Sequence, residues 1–204
     1  MLTRQAKVLN EKQQAALLRF VETDTRYPSR NRVVVLLSYK AGLRSKEIAL
    51  LTWGMLTDAE GALTGEIRLP NRASKGRSSG RVIPLHRALA DALGALLHES
   101  NDVHPDKQRR DQYVVRFQRD GATESARVQN VHYLFHHWYK TLGFHGASSH
   151  SGRRTFITTA ARKITSFGGS LRDVQRLAGH SSLQTTARYI EFDSAAVQKL
   201  MTAI

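Results

Sequence analysis

Residues His150 to Tyr189 read HSGRRTFITTAARKITSFGGSLRDVQRLAGHSSLQTTARY, and this run decides the fold. It spells out three helices. The first spans about His150 to Ile164. Ser170 and Asp173 have the spacing of a reciprocal N-cap and open a second helix, which stops at Gly179 because a left-handed C-cap favours glycine. Ser181 and Gln184 repeat the spacing and open a third helix through about Ile190.

Working outward, Val128, Val131, Phe135 and Trp138 form one apolar stripe on a helix from Arg127 to Lys140. Tyr113–Phe117 reads as a short extended segment, and the polar stretch Ser100–Asp111 as a loop. A helix is expected over His86–Glu99. Strands at Thr64–Leu69 and Arg81–Pro84 flank a loop, Asn71 to Gly80, rich in Ser, Gly and basic residues. Arg44 stands at the mouth of a short helix through Leu50. Gly42 ends a helix from Asn31 to Ala41, whose Val33–Leu37 run is apolar all round and therefore central. Asn10 with Gln13 caps a helix through Val21, with Leu17, Leu18 and Val21 inward. A last helix, Ser194 to Met201, closes the chain. The expectation is a mainly α fold with a small antiparallel β-sheet, residues 1–204 forming one domain.

Hydrophobic residues make up 41% of the 204, enough for a core and against disorder. Cysteine is absent, which excludes disulfides, thiolate zinc sites and cysteine nucleophiles and fits a reducing cytoplasm. The first residues carry no signal-peptide core, and no apolar run approaches the ~18 residues of a membrane span. Lys and Arg number 31 against 17 Asp and Glu, a formal net charge of +14. Such a surplus repels itself unless a polyanion shares the surface, so nucleic acid is the expected partner and an anionic membrane the second choice. Ser125–Arg172 holds seven basic residues and Ile67–Arg87 six, with no acid in either, which predicts a continuous positive face.

Four local patterns carry possible chemistry: Ala41–Ile48 (AGLRSKEI), Ser74-Lys75-Gly76-Arg77 ahead of Arg81–Leu85, His150–Phe156, and Leu177–Ser182 ending in Tyr189. Each has an ordinary reading. Arg44 can simply cap a helix or pair with Glu47, Lys75 can be a solvated loop residue, and Tyr189 an amphipathic core residue. Together they supply two guanidiniums, an ammonium, two imidazoles and a phenol. That inventory suits phosphoryl transfer in which side-chain cations stabilise the non-bridging oxygens.

In order and spacing these patterns resemble the tyrosine recombinase (phage integrase) family, over nearly the whole chain. Its first arginine lies in a Gly-Leu-Arg-x-x-Glu segment, matched by Gly42–Glu47. Its hairpin lysine precedes an Arg-x-x-Pro-Leu strand and is matched by Lys75. Its His-x-x-Arg box is matched by His150 and Arg153, and its Leu-x-Gly-His box, with a tyrosine nine residues beyond the histidine, by His180 and Tyr189. The resemblance implies the family's catalytic-domain fold and a DNA strand transferase needing no cofactor, metal or ATP. Tyr189 would attack a phosphodiester to give a 3′-phosphotyrosyl link. Arg44 and Arg153 would hold the phosphate, Lys75 protonate the 5′-oxygen, His150 accept a proton and His180 hydrogen-bond the phosphate. Free tyrosine, with a pKa of ~10, is only about 0.1% phenolate at pH 7, so nearby cations or a base are needed.

Arg72, Arg77, Arg81, Arg154, Lys163 and Arg172 are expected to touch DNA phosphates. The resemblance implies double-stranded DNA as partner, a homo-oligomer of up to four copies on it, and a cytoplasmic, nucleoid-associated setting. The apolar group Val197, Leu200 and Met201 suggests that the tail from Phe192 packs on a neighbouring protomer. The chain begins almost at the catalytic region, without the ~100-residue N-terminal core-binding domain of two-domain members, so it is expected to be a fragment or a short single-domain form that binds weakly and salt-sensitively. Gly152 stands where the family commonly has Leu, a loss of roughly 1 kcal/mol in helix propensity. Two further functions stay open: a non-catalytic regulator reading DNA through the helix-turn-helix-like pair after Ser170, and a type IB topoisomerase-like enzyme. His132, His136 and His137 include an i, i+4 pair that could bind zinc, but without the intervening Glu of His-Glu-x-x-His they read as surface residues.

Overall fold

The computed structural model describes residues 6–70, 80–103, 109–117, 123–189 and 201–202. Lys75, Arg72, Arg77 and nearly all of the expected C-terminal helix lie outside them. Eight α-helices and one two-stranded sheet are present among the described residues. No helix there is long and apolar enough to cross a membrane.

Helix α2 (Pro28–Lys40) is the axis of the fold, with proline at its first position, where no N–H is needed. Val33, Val34, Val35 and Leu37 have no exposed surface and Leu36 only 1%. A helix apolar all round must be covered all round. The covering is done by α1 (Glu11–Thr23), α4 (Arg87–Val103) and α6 (Ser151–Lys163). The reciprocal cap of α1 forms: Asn10 accepts from the Gln13 N–H at 2.9 Å, and Gln13 accepts from the Asn10 N–H at 3.2 Å. Leu17 and Val21 are buried, while Leu18 is only partly covered.

Helix α3 (Ser45–Ala49) packs on α5 (Glu124–Thr141), whose Val131, Phe135 and Trp138 are buried as the stripe requires. Arg127, at the start of α5, departs from the expected positive face. It is 1% exposed, donates to the carbonyls of Ala49 and Val115, and lies over the Tyr113 ring at 3.7 Å. Strands β1 (Glu66–Leu69) and β2 (Arg81–Pro84) pair antiparallel, Ile67 opposite Ile83 and Leu69 opposite Arg81. The period of two places Ile67, Leu69, Ile83 and Arg81 on the inner face and leaves Val82 outside.

Several boundaries differ from expectation. Helix α4 runs to Val103, into the expected loop. Tyr113–Phe117 makes no strand; Tyr113 alone forms an isolated bridge, with Thr52. Helix α7 (Leu171–Ala178) begins and ends as expected: the Ser170 N–H and hydroxyl both donate to the Asp173 carboxylate, and Gly179 is left-handed at φ 62°. Helix α8 (Leu183–Ala187) is capped by Ser182, not Ser181, because Ser182 has the extended backbone of an N-cap and accepts from the Gln184 N–H. It gives way to a turn at Tyr189, whose N–H bonds the Thr186 carbonyl at 3.0 Å, an i to i−3 closure.

Gly152 is a close-packing position rather than a loose one. A Cβ there would collide with Ser38 Oγ and lie 2.9 Å from Ser38 Cβ. Glycine lets the first turn of α6 sit directly on α2.

Candidate active site

Gly42 ends α2 with φ 63° and turns the chain so that Arg44 caps α3. One turn on, Glu47 has no exposed side-chain surface. Arg44 donates its backbone N–H to Glu47 Oε2 at 2.8 Å and its Nη1 to Oε1 at 2.9 Å. Arg81 reaches in from β2 and grips the same carboxylate with two bonds, of 2.8 and 3.0 Å. Burial pushes the Glu47 carboxyl up, but bonds and charge from Arg81 and Arg44 outweigh it and hold the group below the usual carboxylate range.

Three guanidiniums converge on the last carbonyls of α7. Arg81 Nε donates to Leu177 at 2.9 Å, Arg153 Nη2 to Ala178 at 2.7 Å, and Arg44 Nη2 to Gly179 at 3.0 Å. A helix C-terminus has unsatisfied carbonyls and partial negative charge, so it is a natural seat for cations. Arg153 also donates to the Gly42 carbonyl at 2.5 Å. The two box arginines are therefore neighbours, tied to adjacent carbonyls of one helix end. Burial and the Arg44 charge lower Arg153 to about 10, which leaves it a cation at neutral pH. The Arg44 side chain keeps 24% of its surface exposed and Arg81 only 5%, so Arg44 is the guanidinium open to a ligand and Arg81 the one that braces it.

The other groups ring this pair. His150 is the N-cap of α6. Burial, then His132, Arg153 and Arg44, lower its imidazole below the ordinary value. His180 follows Gly179, and its Nδ1 shares a 2.9 Å hydrogen bond with the Thr186 hydroxyl. Burial, then Arg153, Arg44 and Arg81, bring it down to about 4. Both imidazoles are neutral at pH 7. The Tyr189 ring stacks on His180, centroids 5.4 Å apart, and the Arg154 guanidinium lies 5.8 Å from its centre. Tyr189 lies near enough to Arg153 to favour that cation electrostatically. The arrangement can receive an anion at the open Arg44 guanidinium, backed by the charge of buried Arg153, with two neutral imidazoles and the Tyr189 ring beside it.

Arg44, His150, Arg153, His180 and Tyr189 are thus brought to one place. Arg81, expected as a phosphate contact, is turned inward onto Glu47 and the Leu177 carbonyl. The reason is strand alternation, which puts it on the Ile83 face; that signal was present in the sequence. Arg154 faces the phenol ring. Lys163 and Arg172 are exposed, but the ten residues from Arg153 to Lys163 span about 15 Å of helix, so a phosphate met there is a different one from that at the guanidinium pair. Thr186, fully buried beneath His180, left no mark in the sequence beyond lying in a helix.

A family model described as the phage integrase family matches residues 7–195. Among curated proteins, the tyrosine recombinase XerA of Thermococcus kodakarensis is 29% identical over 78% of this chain and 50% of its own length. Tyrosine recombinase XerC of Staphylococcus epidermidis is 27% identical over 93% of this chain and 58% of its own. The chain thus spans little more than half the length of these relatives. Among solved structures, a XerA recombinase superposes with TM-score 0.67 at 20% identity, covering 100% of this chain and 65% of that one. The Tn1549 transposon integrase, in complex with a circular intermediate DNA, superposes with TM-score 0.70 at 19% identity, covering 100% and 67%. At these identities the superpositions establish a shared fold.

Proposed function

Because the chain belongs to the phage integrase family, we propose that residues 1–204 are one catalytic domain of a site-specific DNA recombinase that breaks and rejoins strands through Tyr189. The observation that carries this reading is the convergence of Arg44 and Arg153 on the end of α7 with Tyr189 beside them.

In this proposal a phosphodiester of double-stranded DNA lies against Arg44 and Arg153, whose guanidiniums match its non-bridging oxygens. Neutral His150 accepts the phenol proton as Tyr189 attacks. Neutral His180, aligned by Thr186, hydrogen-bonds the phosphate. The phenolate oxygen forms a bond to phosphorus as the bond to the 5′-oxygen breaks, and Lys75 supplies the proton that oxygen takes up. The covalent 3′-phosphotyrosine conserves the bond, so attack by a 5′-hydroxyl reverses the step without ATP. The tail from Phe192 would join copies into an assembly on DNA.

A nicked suicide substrate, from which the cleaved fragment diffuses away, tests this. The expected result is a covalent protein–DNA band that disappears in Tyr189→Phe while binding persists. Wild type and variant that both bind but never form adduct would overturn the reading in favour of a regulator. Relaxation of supercoiled plasmid at any sequence, without exchange between sites, would favour topoisomerase action. Lys75→Ala should slow cleavage and recover when the 5′ leaving group is made more acidic.

A further inference from the structure

We propose that His132 is a positioning residue that sets the pH range over which His150 can accept a proton. The inference rests on His150 acting as the acceptor described above. His132 lies on α5, outside every pattern that marked the site. Its ring centroid is 6.5 Å from that of His150, with the planes inclined at 57°. His132 is partly buried and His150 exposed, and at this separation a charge on one ring acts on the other even across a water-like medium.

The charged groups that bear on His150 come from three elements: His132 from α5, Arg153 from α6 and Arg44 from the entry to α3. All three are cationic or become so, and all oppose a proton on His150. They differ in one respect. Guanidiniums keep their charge throughout the working range of any enzyme, whereas an imidazole changes charge within it. His132 is therefore the member of the set whose influence varies with pH. A charge on the His132 ring disfavours a proton on His150. The acceptor stays neutral to lower pH than it would with the arginines alone. His136, one turn on, is exposed and gives α5 a second imidazole on the solvent side of the pair. His137 instead stacks on Tyr133 at 6.1 Å.

His132→Gln and His132→Arg in the intact chain separate this role from a structural one, because the proposal requires them to act in opposite directions. The Gln variant removes the charge for good and the Arg variant makes it permanent. Two measurements are made: the His150 titration midpoint by NMR of the free protein, and the pH profile of covalent adduct formation on the suicide substrate. The Gln variant should move the midpoint and the acid limb of the profile up, and the Arg variant down, each by roughly half a unit to one unit. On the limb that corresponds to a threefold to tenfold change in rate at fixed pH. Unmoved midpoints, or shifts in the same direction in both variants, would overturn the proposal. Absence of adduct in the wild type at every pH would overturn the strand-transfer reading instead, and the NMR midpoints would still decide whether the two imidazoles are coupled.

Discussion

The guanidinium cradle and the nucleophile segment lie side by side but are built differently. The cradle is held by a buried carboxylate, three arginines and four backbone carbonyls, one at Gly42 beside the main core and three at the end of α7. Tyr189 follows a helix of five residues and rests on a small separate cluster of Ile157, Ala161, Val174 and Ala178. It is also held by a ring stack on His180, the Arg154 guanidinium over its ring and a backbone hydrogen bond to Thr186. Regions with few buried contacts open at lower free energy than the core. The difference implies that, in the proposed reaction, the guanidinium cradle is preorganised whereas the position of Tyr189 is adjustable.

The strongest way to break this comparison is Glu47→Ala. It leaves Arg81 buried without its carboxylate and should cost about 3–5 kcal/mol in chemical denaturation. A loss below about 1 kcal/mol would mean the cradle is not the rigid part. Gly152→Ala comes next. Helix propensity alone predicts a gain of about 1 kcal/mol. The collision with Ser38 predicts instead a net loss of about 1–3 kcal/mol, and thermal unfolding decides the sign.

Ile157→Val sharpens the comparison on the other side. It should cost about 1 kcal/mol, and hydrogen exchange should quicken through α7, α8 and Tyr189 while α2 keeps its protection. Uniform quickening would show that the two regions open as one. The smallest effect expected is on pH dependence. His180 is depressed to about 4 in the folded state. Between its ordinary value and that point the unfolded chain takes up a proton that the folded chain refuses. Stability is therefore full above about pH 6.5 and declines as pH falls toward 4. His150 acts in the same sense. His180→Gln should make the decline between pH 7 and pH 5 shallower, and because the ring is partly exposed the change is modest.

Caps and stripes were legible because they are local. Asn10 with Gln13, Ser170 with Asp173, and Gly179 act within a few residues of themselves, and each stands where its spacing put it. The cap of α8 was misplaced by one residue because Ser181 and Ser182 offer the same hydroxyl and only the backbone conformation distinguishes them. Net charge was read correctly as a total but not as a surface. Arg81, Arg127 and Arg153 are buried on carbonyls or on Glu47, a use of arginine that composition does not reveal.

By itself the sequence determined the helices, the hairpin and the family to which the chain belongs, because periodicity, capping and motif spacing are properties of short segments. Only the tertiary structure decided that Arg44 and Arg81 share one carboxylate, that three guanidiniums end on one helix terminus, and that His132 stands beside His150. The bonds from Arg81, Arg44 and Arg153 to α7 join residues 96, 135 and 25 positions apart. Partners so distant are chosen by packing around α2, which no local pattern encodes.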